Sequence, residues 1–139
     1  MRRDVGFVLE GGTPAFVQAL EDSVVALMIE KKQCVENLEA ILSVKGIDMV
    51  QFGPSDYSMS LGIPGQYRDP RVVEAEKYVI ETALKKGIRP RAEIGSPSQA
   101  KRYLDMGVKH FCIGTDMSIL YEWFRDNGKA MREILTAAK

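Results

Sequence analysis

Residues 45–56 read KGIDMVQFGPSD, and the same grammar returns twice downstream, as KGIRPRAEIG over residues 86–95 and MGVKHFCIG over residues 106–114. In each, a Gly followed by Ile or Val opens a short apolar strand that closes on another Gly. Each opening Gly (Gly46, Gly87, Gly107) also follows a stretch of helical periodicity, where a glycine in the left-handed conformation ends a helix. Val35, Leu38, Ile41 and Leu42 recur at three-to-four spacing before the first unit. Val72, Val73, Val79, Ile80 and Leu84 do so before the second. A shorter helix starts at Ser96-Pro97, a capping residue with Pro at the first helical position, and carries Ala100, Tyr103 and Leu104 inward.

Outward from these units, VVALMIE at residues 24–30 is a further strand, continuously apolar in the manner of a parallel strand buried on both faces. Residues 1–23 form a loop and a short helix that Thr13 caps. The last strand runs into GTDMSILYEWFRD and a terminal helix over residues 129–138. Strands alternating with helices predict an α/β chain with a parallel sheet and right-handed crossovers. Four βα units are half of a (β/α)8 TIM barrel, which typically needs about 250 residues. With no linker and no shift in composition, residues 1–139 read as a single half-barrel domain. Its two open sheet edges predict self-association.

Composition narrows the function classes. Nineteen basic and nineteen acidic residues balance to zero net charge, which argues against an electrostatic nucleic-acid binder. No apolar run approaches the ~20 residues that cross a bilayer, and the basic start, with Arg2-Arg3, lacks the apolar core of a signal peptide. A cytoplasmic protein with no membrane and no nucleic-acid partner is expected. Cys34 and Cys112 read as small buried hydrophobes, not a disulfide framework.

Ligands of parallel α/β folds gather at the carboxyl ends of strands. Glu30, the GPSDYS turn with Asp56, Glu93 and the GTDMS turn with Asp116 fall there. Glu30 finishes an apolar strand and shares a face with Met28 and Ala26. A carboxylate there is costly to bury unless paired or ligated, or else it reaches solvent at the strand tip. Asp56 follows Gly53-Pro54, where the backbone bends and approaches a ligand, or it is a turn aspartate capping Ser58. Together the two suit a hard divalent cation such as Mg²⁺. Zinc spacing is absent. With His110 as the one histidine, placed before its strand and away from the ligand face, no hydrolase triad forms within the chain. Tyr57, Met59 and Met117 fit local packing better than a pocket lining.

Glu30 and GPSDYSMSLG, 26 positions apart and each in its own motif, resemble the metal-dependent pyruvate aldolases of the HpcH/HpaI family. The similarity runs over about residues 24–120, through the ENLEAILSVKGID passage, S-x-S-L-G-x-P-G and RYLDMGVKHFCIGTDMSIL. The resemblance implies the C-terminal half of a barrel, its fifth to eighth strands, with Met1 in the loop after the fourth. The chain then reads as a fragment, a split-gene product or a truncated annotation.

It further implies Glu30 and Asp56 as the two protein ligands of a divalent metal, Mg²⁺ first and Mn²⁺ or Co²⁺ as alternatives. Gly53, Pro54 and Ser55 would contact the pyruvate carboxylate, and Met28 faces the substrate where many members carry Gln. The implied reaction is aldol cleavage of 4-hydroxy-2-oxo acids to pyruvate and an aldehyde. The metal stabilises the enolate charge while a base takes the hydroxyl proton. The family's catalytic His, its Asp partner and its Arg come from the first half of the barrel, so no catalytic residue is identified within this chain. Glu93 adds a carboxylate where a smaller or apolar residue is expected. The expected partners are pyruvate, the aldehyde or parent acid, and a second copy or a complementary N-terminal half-barrel.

Two other classes stay open. One is a non-catalytic, self-associating half-barrel that binds a small keto acid. The other is a half-barrel that holds a phosphate at GTDMS, where the turn carries no Lys or Arg.

Overall fold

The computed structural model describes residues 11–138, so Arg2-Arg3 lies outside the described residues. The chain runs α1 (Pro14–Glu21), β1 (Ala26–Ile29), α2 (Lys32–Glu36), α3 (Leu38–Ile41), β2 (Met49–Phe52), α4 (Pro54–Ser60) and α5 (Pro70–Lys85). It continues through β3 (Arg89–Ile94), a 3₁₀ turn at Pro97–Gln99, α6 (Ala100–Asp105), β4 (His110–Ile113) and α7 (Asp116–Ala137). The four strands form one parallel sheet in the order β1-β2-β3-β4, the topology of four successive βα units of a barrel.

Register sorts the side chains into two faces. Ile29, Val50, Phe52, Ala92 and Ile94 point to the helix-covered face and are buried. Ile29, Val50 and Phe52 join Leu38, Leu42, Val72, Val79 and Ala83 in the main core. Fully burying such a side chain contributes about 1.5–3 kcal/mol. Ile80, Ala92 and Val108 make a second, smaller cluster under α6. The other face, which would line a closed barrel, is open. Ala26, Met28, Arg89, Glu93 and His110 are exposed on it, and Gln51 is buried among them.

Several local expectations hold. Gly87 and Gly107, with φ of 74° and 92°, each follow a helix cap before a strand, whereas Gly46, with φ of 89°, lies in the turn beyond α3, which ends earlier at Ile41. Thr13 accepts the Phe16 amide at 3.2 Å as the cap of α1. His110 stands exposed at the amino end of its strand.

Others are corrected. The strand expected at residues 24–30 is four residues long, and it is not buried on both faces: Met28 is 46% exposed, on the face of the sheet that no helix covers. The helix before β2 breaks at Asn37, whose side chain donates to the Gln33 carbonyl at 2.8 Å. Val73, Leu84 and Leu104 lie outside the core. The terminal helix expected over residues 129–138 starts much earlier, at Asp116, as one continuous α7 of 22 residues in which Gly128 causes no break. Cys34 and Cys112 are free thiols and only partly buried. No helix among the described residues is long and apolar enough to cross a membrane.

Candidate metal and substrate site

At the carboxyl end of β1 the ladder continues past the strand, since the Gly53 amide donates to the Ile29 carbonyl at 3.1 Å. Extending the pairing of Ile29 with Phe52 sets Glu30 beside Gly53. A Cβ on Gly53 would stand 2.9 Å from the Glu30 Cβ, 3.1 Å from Glu30 Oε2 and 3.3 Å from Met28 Cε. Gly53 has φ of −106°, which any residue can adopt. Its lack of a side chain therefore makes room for the Glu30 carboxylate; the turn does not require it.

Gly53 is also the N-cap of α4, and Pro54 occupies the first helical position, where its missing N–H costs nothing. The sequence stretch read as a turn is therefore the start of a helix, with Asp56 in its first turn. A carboxylate is favoured there by the exposed amide dipoles. Asp56 does not cap Ser58, whose buried hydroxyl donates to the Ser55 carbonyl at 2.8 Å. Its charge partner is Lys31, with Nζ 3.9 Å from Asp56 Oδ1. Both side chains are about half exposed, so the pair is weak and exchangeable. Among the described residues, no cluster of three or more His, Cys, Asp or Glu is arranged to hold a metal. Glu30 lies against Gly53, and Asp56 follows three residues further along the chain in the first turn of α4.

Met28, Gly53, Pro54, Ser55 and Asp56 line one side of a cleft of about 440 Å³, within the usual range for small-molecule sites. Gln51, Arg91, Glu93, Gly114 and Thr115 line it elsewhere. Gln51 donates from Nε2 to Glu93 Oε2 at 3.0 Å. Sequence reading singled out Glu93 but missed Gln51, whose inward-facing position follows only from the strand register.

Tyr57 packs on Phe52, with ring centroids 5.1 Å apart, and burial raises its phenol pKa. It is local packing, as expected. Met59 and Met117 are exposed. The GTDMS turn satisfies itself. Thr115 Oγ1 accepts the Ser118 amide at 3.2 Å, and Asp116 Oδ1 accepts the Met117 amide at 2.8 Å. An acidic side chain on the first amides of α7 leaves a poor anion site.

A family model for HpcH/HpaI aldolase/citrate lyase matches residues 4–122. The chain is 33% identical over 108 residues to the 4-hydroxy-2-oxo-heptane-1,7-dioate aldolase of Escherichia coli, covering 77% of this chain and 41% of that protein. The Salmonella paratyphi B enzyme of the same name is 34% identical over 103 residues, covering 74% and 39%.

Among solved structures, the HpcH/HpaI aldolase from Desulfitobacterium hafniense DCB-2 superposes with a TM-score of 0.75 at 28% identity, over 86% of this chain and 47% of that one. The citrate synthase SbnG superposes with a TM-score of 0.78 at 28% identity, over 91% and 51%. The chain thus spans about half the length of these structures or less, consistent with a partial barrel. With the family match extending across most of its length, the chain belongs to the HpcH/HpaI aldolase/citrate lyase family.

Proposed function

We propose that this chain forms the metal- and pyruvate-binding part of a carbon–carbon lyase that cleaves 4-hydroxy-2-oxo acids to pyruvate and an aldehyde. Membership of an aldolase and citrate lyase family supports the lyase class. One geometric observation supports the site: the side-chain-free Gly53 leaves a cradle over which the Glu30 carboxylate lies, next to a helix whose first turn carries Asp56.

Two carboxylates without nitrogen or sulfur donors fit a hard cation, Mg²⁺ ahead of Mn²⁺ or Co²⁺. Glu30 and Asp56 would hold it, with water and substrate oxygens completing its shell. Bound there, the ion would act as a Lewis acid toward the charge that develops on the 2-oxo acid. The chain's own residues divide the remaining work. Lys31 gives up Asp56 when a cation arrives, and the weakness of their pair makes that exchange easy. The first turn of α4, at Ser55 and Asp56, presents amides that a helix leaves without internal partners, suited to the carboxylate of pyruvate. Met28 supplies an apolar wall. We assign no catalytic acid or base within this chain.

Calorimetric titration with Mg²⁺ in the presence of pyruvate tests this reading. Glu30→Ala and Asp56→Ala are expected to abolish binding. Gly53→Ala is expected to weaken it about tenfold, since its Cβ falls on the Glu30 side chain. Wild-type affinity in both carboxylate variants would sink the proposal.

A second reading, a self-associating half-barrel that binds a keto acid without cleaving it, draws support from the exposed apolar residues of α7. A second copy or a complementary half-barrel is the expected partner in either case. Deuterium exchange into the pyruvate methyl group tests the binder: metal-dependent exchange would remove it, whereas no exchange from a folded, metal-binding sample is also what the metal part of a lyase gives without its catalytic base.

A further inference from the structure

Gln51 is 5% exposed, yet its Oε1 accepts no hydrogen bond among the described residues. A buried, unpartnered amide oxygen is destabilising, so its retention calls for a reason. The atom belongs to a side chain that lines the cleft, and the amide is held in place from its other end, where Nε2 donates to Glu93 Oε2 at 3.0 Å. Glu93 also lines the cleft and is exposed. Extending the pairing of Gln51 with Arg91 brings Gly53 beside Glu93. Glu30 and Glu93 therefore flank the same bare glycine from opposite strands. Glu30 lies on one side of Gly53, and on the other Gln51 and Glu93 line the cleft.

We propose that Gln51 and Glu93 form a specificity subsite that accepts hydrogen bonds from a hydroxyl group on the bound substrate, selecting hydroxylated aldehydes over their deoxygenated counterparts. The subsite rests on the reading of this cleft as a substrate site. Both groups offered to the ligand are acceptors, so the ligand must donate. Arg91 stands in register beside Gln51 on the same face and also lines the cleft, which disfavours a cationic donor and leaves a neutral hydroxyl. A site built to pair a hydroxyl discriminates strongly against an analogue that lacks it, because its own polar groups are then left bare. With Glu93 solvent-exposed, the expected preference is roughly tenfold.

The test follows the Gln51 side-chain amide by proton–nitrogen NMR in the labelled chain, with D-glyceraldehyde and propionaldehyde as probes of equal carbon length. Glyceraldehyde is expected to shift that resonance and to bind about tenfold more tightly. Gln51→Leu and the exposed-site variant Glu93→Ala are each expected to level the two probes. The second variant covers the case in which the first fails to fold. Equal binding by the wild type, a preference that persists in Glu93→Ala, or tighter binding of ethylammonium than of glyceraldehyde would overturn the subsite. The same samples are titrated with Mg²⁺ and pyruvate. A retained glyceraldehyde preference without metal binding removes the metal-lyase reading and keeps the subsite, and the converse result removes the subsite alone.

Discussion

α5 and α7 are both long, well-capped amphipathic helices, and they meet opposite fates. α5 begins at Asp69, whose side chain accepts the Arg71 amide, and Pro70 sits in its first turn. Its Val72, Ala75, Val79, Ile80 and Ala83 are buried. α7 has a complete capping box between Thr115 and Ser118, yet buries none of its residues. Ile119, Trp123, Phe124, Ile134 and Leu135 are all more than half exposed. Local signals decide that a helix forms and where it starts, whereas the energy that anchors a helix comes from the surface it meets. α5 meets β2 and β3, while the outer side of β4 keeps Ile113 exposed.

The same substitution made in the two helices should expose that difference. Ile80→Ala removes a side chain that is 4% exposed from the second cluster and should cost about 3 kcal/mol in denaturant unfolding. A smaller effect is expected at the joint between the helices of this region. The Tyr103 hydroxyl of α6 donates to Glu76 Oε1 of α5 at 2.8 Å. Burial, then that hydrogen bond, pushes its pKa up to about 12. An unfolded tyrosine ionises near 10, so between these values the unfolded state sheds its proton first. Stability is then full below pH 10 and declines as pH rises toward 12. Unfolding followed across that range should show the decline, and Tyr103→Phe should flatten it. Smallest of all, Ile134→Ala, 61% exposed in the wild type, should change stability by less than about 0.5 kcal/mol. A cost near that of Ile80→Ala would show that α7 is covered in solution.

Much of the sheet was legible because β2, β3 and β4 are each bracketed by glycines and follow a helical stretch, so local rules and long-range order agree. Burial was less legible. The apolar run at Val24 to Glu30 carries hydrophobes on both faces, which suits a strand inside a closed barrel. Sequence pattern does not say how much of the barrel is present to cover Met28. Glu30 and Asp56 stood out as carboxylates at strand ends. The reason for Gly53 did not, since it depends on a side chain 23 positions earlier, reachable only once β1 and β2 are in register. Gln51 was overlooked for a related reason: an amide in a strand looks like a solvent-facing alternate until its neighbours on the flanking strands are known.

The strand order of the sheet is also the order of synthesis. Every strand pairs with the one just made, and none waits for a partner from the far end of the chain, so each closure spans a single helix-containing loop. Such a sheet can zip from its first strand onward as the polypeptide emerges, with loop-closure entropy met in small instalments. The segment from β1 to Ile88, just before β3, already contains every buried residue of the main core. Folding should therefore be committed before β4 and α7 leave the ribosome, and the last helix is free to find its place afterwards.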